Sequence, residues 1–269
     1  MSESGFAQIR NARLAWWADR PDGDGADAPL VLVHAGVADA RMWEPIVPAL
    51  AAHHRVIRYD MRGYGRSLSG RGAFSPAGDL AALLDALAVQ RAHVVGASFG
   101  GLVALELAAT RPERVASLVL LAAALPDIEP SAQLLAYAEA EQAAVEIGRI
   151  EDAVEINVRM WAARSAPSVQ ALVADMQRDA FELQLRERAE SEELDPPVST
   201  RLGEIEVPVA VAYGDRDVMD FEQIARRLHA ELPDATLEQI GAADHLLALD
   251  QPEAVAQLIL RPLERAAQS

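Results

Sequence analysis

The chain has 269 residues, a net charge of −17 and no cysteine, and each of its 24 basic residues is arginine. These facts exclude disulfides, thiolate metal sites, a cysteine nucleophile and Schiff-base chemistry on lysine. The acidity also argues against nucleic acid or an anionic membrane surface as partner. An apolar fraction of 51 % at this length suits one large α/β domain carrying an insertion. The start, Met1-Ser2-Glu3-Ser4-Gly5, lacks an apolar signal region, and no run approaches the roughly 20 residues needed to cross a bilayer. The expectation is a cytoplasmic enzyme.

In chain order, residues 6–19 carry Phe6, Ile9, Leu14, Trp16 and Trp17 around Asn11 and read as an opening β-hairpin, with a solvated turn over 21–29. Leu30-Val31-Leu32-Val33-His34 is a continuous apolar run, the pattern of a strand buried on both faces of a parallel sheet. It ends in Ala35-Gly36, and Asp39 then caps a helix with Met42, Trp43, Ile46, Val47 and Leu50 at helical spacing. A strand over 55–59, a Gly-rich loop from Asp60 to Gly72 and a helix with Leu80, Leu83, Leu84 and Leu87 on one stripe follow. Val94-Val95 leads into Gly96-Ala97-Ser98-Phe99-Gly100-Gly101 and a helical run, then a buried strand spans 115–121. From about Pro126 to Thr200 the pattern is helical only, with segments at 134–147, 150–161 and 169–190. The β rhythm resumes over 207–213, with a helix near 221–232, a strand near 235–240 and a closing helix from Pro252. Strands alternating with helices imply right-handed βαβ units and a doubly wound, mostly parallel sheet.

Strand, Gly-flanked serine, helix is the context of a nucleophile elbow: glycines allow the tight turn, and the hydroxyl is lifted beyond the sheet edge. A serine hydroxyl is a weak nucleophile and needs a histidine base with an orienting acid. Of six histidines, His53, His54, His93 and His229 have bland helix-end, strand or surface readings, and His34 ends a strand. His245 follows the final strand, where sites gather in open α/β sheets. The loop Gly214-Asp215-Arg216-Asp217 offers two acids, so Asp215 and Asp217 both stand as candidate orienters. The order Ser98, Asp, His245 is the α/β-hydrolase order.

Together, His34-Ala35-Gly36, Asp60-x-Arg62-Gly63-x-Gly65-x-Ser67, Gly96-x-Ser98-x-Gly100-Gly101, and Gly214-x-x-Asp217 followed by Gly241-x-x-x-His245 resemble the α/β-hydrolase-fold superfamily over nearly the whole chain. The resemblance is to its small capped esterase, lactonase and cofactor-free haloperoxidase-like branch. It implies an eight-stranded sheet, a core formed by residues 1–125 and 201–269, and a helical cap over 126–200 after the sixth strand. It makes Ser98 the nucleophile, His245 the base, Asp217 the acid with Asp215 as fallback, and the Gly36 and Phe99 amides the oxyanion hole. It leaves His34 as a brace and Asp60 with Arg62 as a buried scaffold pair. Trp43, Met160, Trp161, Met176 and Phe181 become candidates to line the substrate pocket, each equally open to plain packing.

Three departures stand out: Ala35 where glycine is usual, Val37 in place of a proline, and Asp244 before the histidine, which either raises the His245 pKa or faces solvent. The implied activity is hydrolysis of small carboxylic esters or lactones through an acyl-enzyme, with no metal or cofactor and a monomeric or homodimeric assembly. Ser rather than Asp at the elbow argues against dehalogenase or epoxide hydrolase chemistry. Carbon–carbon bond hydrolysis, perhydrolysis, iminopeptidase activity or a slow-turnover ligand receptor are the alternatives on the same fold. Cap acids Glu139, Glu141, Glu146, Glu187, Glu190, Glu192 and Glu193 read as a solvated face rather than an amine-binding site.

Overall fold

The hairpin expected at the start is present: β1 (Ser2–Ile9) and β2 (Ala12–Asp19) pair antiparallel. The structure, a computed structural model, describes residues 2–20, 28–70, 72–187, 190–192 and 194–266. Most of the turn expected over 21–29, and Glu193, lie outside the described residues. Six further strands follow: β3 (Leu30–Val33), β4 (Val56–Tyr59), β5 (Ala92–Ala97), β6 (Val115–Leu121), β7 (Val209–Gly214) and β8 (Ala235–Ile240). They assemble with the hairpin into one eight-stranded sheet in the order β1-β2-β4-β3-β5-β6-β7-β8. The strands β3 to β8 run parallel to one another, while β1 pairs antiparallel with β2 and β2 antiparallel with β4.

The apolar runs explain the sheet's centre. Every residue of β3, β5, β6 and β7 is buried, as strands covered on both faces by helices must be. The covering helices are α1 (Val47–Ala51), α2 (Pro76–Ala86), α3 (Phe99–Thr110), and, after an insertion, α7 (Met219–Glu231), α8 (Leu247–Asp250) and α9 (Pro252–Ala266). Asp39 caps a short 3-10 turn, Ala40–Trp43, ahead of α1, so the single helix expected there is split in two. Pro48 at the second turn's start explains the break, since its ring cannot donate to a continuous ladder.

Between β6 and β7 lie α4 (Ala132–Glu146), α5 (Ile150–Trp161) and α6 (Pro167–Glu187), close to the helices read from sequence. One detail departs from the all-helical expectation. Glu190–Ser191 forms a two-residue strand parallel to Ala73–Phe74, too short to carry a periodicity. The helix α6 lies over the loops at the C-terminal edge of the sheet. Its Gln177 and Gln184 side-chain amides donate to the Gly36 and Gly63 carbonyls, and Asp179 joins Arg41 and Asp39 in an ion-pair cluster.

Close backbone approach decides the turn after β5. A Cβ on Gly100 would sit 2.2 Å from the Val33 carbonyl oxygen, and one on Gly96 2.3 Å from the Gly100 oxygen. These obstacles are backbone atoms and cannot swing away. Gly100→Ala is therefore expected to lose about 1–3 kcal/mol of stability, the cost of overpacking a rigid site. A urea midpoint equal to that of the wild type would contradict this reading of the turn.

Candidate active site

Ser98 stands at the N-cap of α3 with φ 51° and ψ −118°, a conformation an L residue adopts only under constraint. The constraint is visible in its bonds. Its amide donates to the Leu121 carbonyl at 2.9 Å, and its own carbonyl accepts from the amides of Gly101 at 2.8 Å and Ala124 at 2.9 Å. The neighbouring strand β6 and the first turn of α3 thus hold the serine between them. Its position is partly accessible, at the C-terminal end of β5, with the positive end of the helix behind it.

Two loops away, His245 and Asp217 meet. The His245 Nδ1 lies 2.8 Å from Asp217 Oδ2, and both side chains are 2 % exposed. Asp217 follows β7 and His245 follows β8, adjacent strands, so their loops leave the sheet side by side. The Asp217 carboxylate also accepts from the Val218 amide at 2.7 Å, which fixes its rotamer. Asp215, the other candidate, does not touch the histidine; its carboxylate accepts from the Ala243 amide at 3.2 Å and braces the histidine loop. The imidazole is flanked by two rings, Trp161 with centroids 4.4 Å apart and Phe221 at 4.3 Å. Phe221, on the first turn of α7, was not singled out from sequence, where it reads only as a helix start.

Asp244 does not face solvent. It is buried, and its carboxylate accepts the Arg164 amide at 2.6 Å while the Arg164 guanidinium reaches it and the Arg216 carbonyl. It fastens the segment between α5 and α6 to the histidine loop.

On the opposite side, Gly36 and Phe99 come together: a Cβ on Gly36 would lie 3.5 Å from the Phe99 Cβ and 3.6 Å from the Tyr64 hydroxyl. His34 braces this loop. Its Nδ1–H donates to the Ala35 carbonyl at 2.8 Å and its Nε2 accepts the Met61 amide at 2.9 Å, so the ring is neutral. Full burial lowers its pKa to about 4. Asp60 accepts the Ala40 and Arg66 amides, and burial raises its pKa to about 6. The expected Asp60–Arg62 pair is corrected by the structure: Arg62 forms a two-pronged bond with Asp79, at 2.7 and 2.8 Å, and a third with Asn11. Arg62 and Asp79 are 17 residues apart, and α2 brings the acid in.

The five pocket candidates part company. Trp161 packs against His245 with the ring planes tilted by 40°, and Met176 packs its sulfur 3.4 Å from the Asp39 amide near the Gly36 loop. Trp43 ends the 3-10 turn that follows that loop and is wholly buried. Met160 receives a weak bond from Gln133 on α4. Phe181 lies in a separate hollow with Glu141, Val145 and Leu185, between α4 and α6. Of the acids in the insertion, Glu141 is held by Asn157 at 2.5 Å and Tyr137 at 3.1 Å, and Glu187 accepts the Ser69 amide. Glu139, Glu146 and Glu192 are exposed. Among the described residues no three His, Asp or Glu side chains gather as a metal site, and no helix is long and apolar enough to cross a membrane.

A family model described as "Alpha/beta hydrolase family" matches residues 30–258. Among curated proteins, rhodomycin D methylesterase from Streptomyces peucetius is 38 % identical over 141 residues, 49 % of this chain and 47 % of that one. The chain spans less than half the length of the curated relatives it matches. Among solved structures, a hydrolase from Pseudomonas aeruginosa is 28 % identical with a TM-score of 0.78, covering 97 % of this chain and 98 % of its own. Carboxylesterase CesB from Bacillus subtilis is 25 % identical with a TM-score of 0.81, over 98 % and 92 % of the two chains.

The two buried groups near the Gly36 loop make opposite pH dependences. His34 titrates lower in the folded chain than in the unfolded, so its contribution is complete above pH 6.5 and lost as pH falls towards 4. Asp60 titrates higher when folded, so its contribution is complete below pH 3.8 and lost as pH rises through 6. In the wild type the two slopes offset one another between pH 4 and 6. His34→Gln removes one of them. The gap in unfolding free energy between wild type and His34→Gln is expected to narrow by about 3 kcal/mol from pH 7 to pH 4. A gap independent of pH in urea titrations would contradict a buried neutral His34.

Proposed function

As the chain belongs to the alpha/beta hydrolase family, we propose that it is a serine hydrolase cleaving carboxylic esters or lactones of small molecules through an acyl-enzyme. The observation that carries the reading is the buried 2.8 Å contact of His245 Nδ1 with Asp217 Oδ2, on the loops after β7 and β8. It stands at the same sheet edge as Ser98 on its constrained turn. The likeness to a methylesterase and a carboxylesterase supports the same class.

In this reading Asp217 holds His245 with Nδ1–H towards it, leaving Nε2 free to accept the Ser98 proton. The Ser98 Oγ attacks the ester carbon, and the carbonyl oxygen becomes an oxyanion. Backbone N–H groups of Phe99 and Gly36 receive that charge, each worth about 3 kcal/mol of barrier. The imidazolium returns the proton to the departing alcohol and the carbonyl re-forms. A water then gives its proton to His245 and attacks the acyl carbon, and Ser98 leaves with that proton as the acid is released. Residues 126–200 act as a cap over a core of 1–125 and 201–269, with Trp161 and Met176 facing the reacting region. The Trp161 and Phe221 rings exclude water from the imidazole flanks. That raises the strength of the Asp217–His245 bond.

The choice between the two acids is directly testable with p-nitrophenyl acetate. Asp217→Asn is expected to lower kcat by 10²–10⁴, as loss of a triad orienter does. Asp215→Asn is expected to stay within about tenfold, because its carboxylate binds the Ala243 amide and not His245. Equal losses in the two variants would contradict the assignment of Asp217.

A further inference from the structure

Tyr64 fills the open position between two glycines in the Asp60-x-Arg62-Gly63-x-Gly65-x-Ser67 loop. The loop fixes its place. Gly63 and Gly65 take φ of 81° and 51°, which glycine adopts freely. The Tyr64 amide donates to the Met61 carbonyl at 3.0 Å, and the Tyr64 carbonyl accepts the Ser67 amide at 2.9 Å. The ring then packs against His34, with centroids 5.0 Å apart and planes at 69°. His34 is the side chain that braces the Gly36 loop, so a single contact registers the phenol against that loop.

The hydroxyl ends beside Gly36. Among the described residues, chain neighbours aside, two atoms come within 4 Å of a Cβ built on Gly36: the Phe99 Cβ at 3.5 Å and the Tyr64 hydroxyl at 3.6 Å. A Cβ lies about 2.5 Å from its own amide nitrogen, so the phenol oxygen stands within about 6 Å of the Gly36 nitrogen. One acceptor oxygen with bonds of about 2.8 Å to two donors joins groups up to about 5.6 Å apart, which is the scale of that separation. The approach is open as well. Tyr64 and Phe99 are both partly accessible, and both line a cavity of about 210 Å³ that opens beside them. Burial raises the Tyr64 pKa, and the Gln184 side chain beside its oxygen moderates the rise, so the phenol keeps its proton. A neutral O–H can only strengthen its hydrogen bond as an acceptor gains negative charge.

We propose that Tyr64 is a further catalytic residue, whose phenol donates a hydrogen bond to the substrate oxyanion alongside the Gly36 and Phe99 amides. The proton stays on the phenol throughout. The proposal rests on the hydrolase reading of Ser98, and it adds a side chain to a hole otherwise built from backbone.

The test compares wild type and Tyr64→Phe on p-nitrophenyl acetate and on its thiono analogue, in which sulfur replaces the carbonyl oxygen. Phenylalanine keeps the ring on His34 and removes only the donor. Sulfur is a weak acceptor, so the thiono ester takes little from the phenol even in the wild type. Tyr64→Phe is expected to lower kcat on the oxygen ester about 10- to 100-fold, as loss of a hydrogen bond to a charged acceptor does. On the thiono ester the loss should stay within about threefold. A purely structural role for Tyr64 would slow both esters alike. Equal losses on the two esters, or an undiminished kcat on the oxygen ester, would overturn the proposal and leave Ser98 untouched. A failed hydrolase reading would appear separately, as wild-type ester turnover that is absent or that survives Ser98→Ala, and it would take the proposal with it.

Discussion

The turn at Ser98 is the constraint on which the rest of the site depends. A residue with a side chain is held at φ 51° where glycine would be at ease, at a cost of order 1–3 kcal/mol. The surrounding chain makes the alternative worse. β6 takes the serine amide, the start of α3 and the segment after β6 bind its carbonyl, and Gly96 and Gly100 let three backbones meet without a Cβ between them. The apolar central strands serve this end: they are buried along their whole length, and a close-packed interior yields little to the strain of the turn.

The helical insertion ties the two sides of the site together. It touches the loop of Gly36 through Gln177 and Met176, and the loop of His245 through Arg164 and Trp161. A displacement of α5 or α6 would therefore disturb His245 and the proposed oxyanion donors at once. Polar pins at its edges, with aromatic and thioether contacts inside, give it one seat rather than many. The Tyr137–Glu141–Asn157 network serves the same purpose within the insertion, joining α4 to α5 behind Trp161.

Much of this arrangement was legible in the sequence because it is local. Strand runs, the glycines around Ser98 and the placement of acid and histidine after successive strands are written in neighbouring residues. The eight-stranded, mostly parallel sheet agrees with that reading, and the helices of the insertion do so to within a few residues. What escaped is pairing across the chain. Nothing near Arg62 points to Asp79 rather than Asp60, and nothing near Asp244 points to Arg164, 80 residues earlier. Phe221 is one aromatic at the start of an amphipathic helix until β8 brings His245 against it. Phe181 shows the converse: an aromatic in the right segment whose helical face turns it into a different hollow.

The central claim is that Ser98, His245 and Asp217 form one acyl-transfer machine, and covalent trapping tests it most directly. Diisopropyl fluorophosphate reacts with a serine only where a base removes its proton and donors receive the phosphoryl oxygen, with fluoride leaving. Intact-mass analysis followed by peptide mapping is expected to find a single phosphoryl adduct on Ser98 in the wild type. Labelling should be slowed at least 100-fold in His245→Gln, in keeping with loss of a general base. No adduct, an adduct on another residue, or labelling of Ser98 at the same rate without His245 would contradict the account.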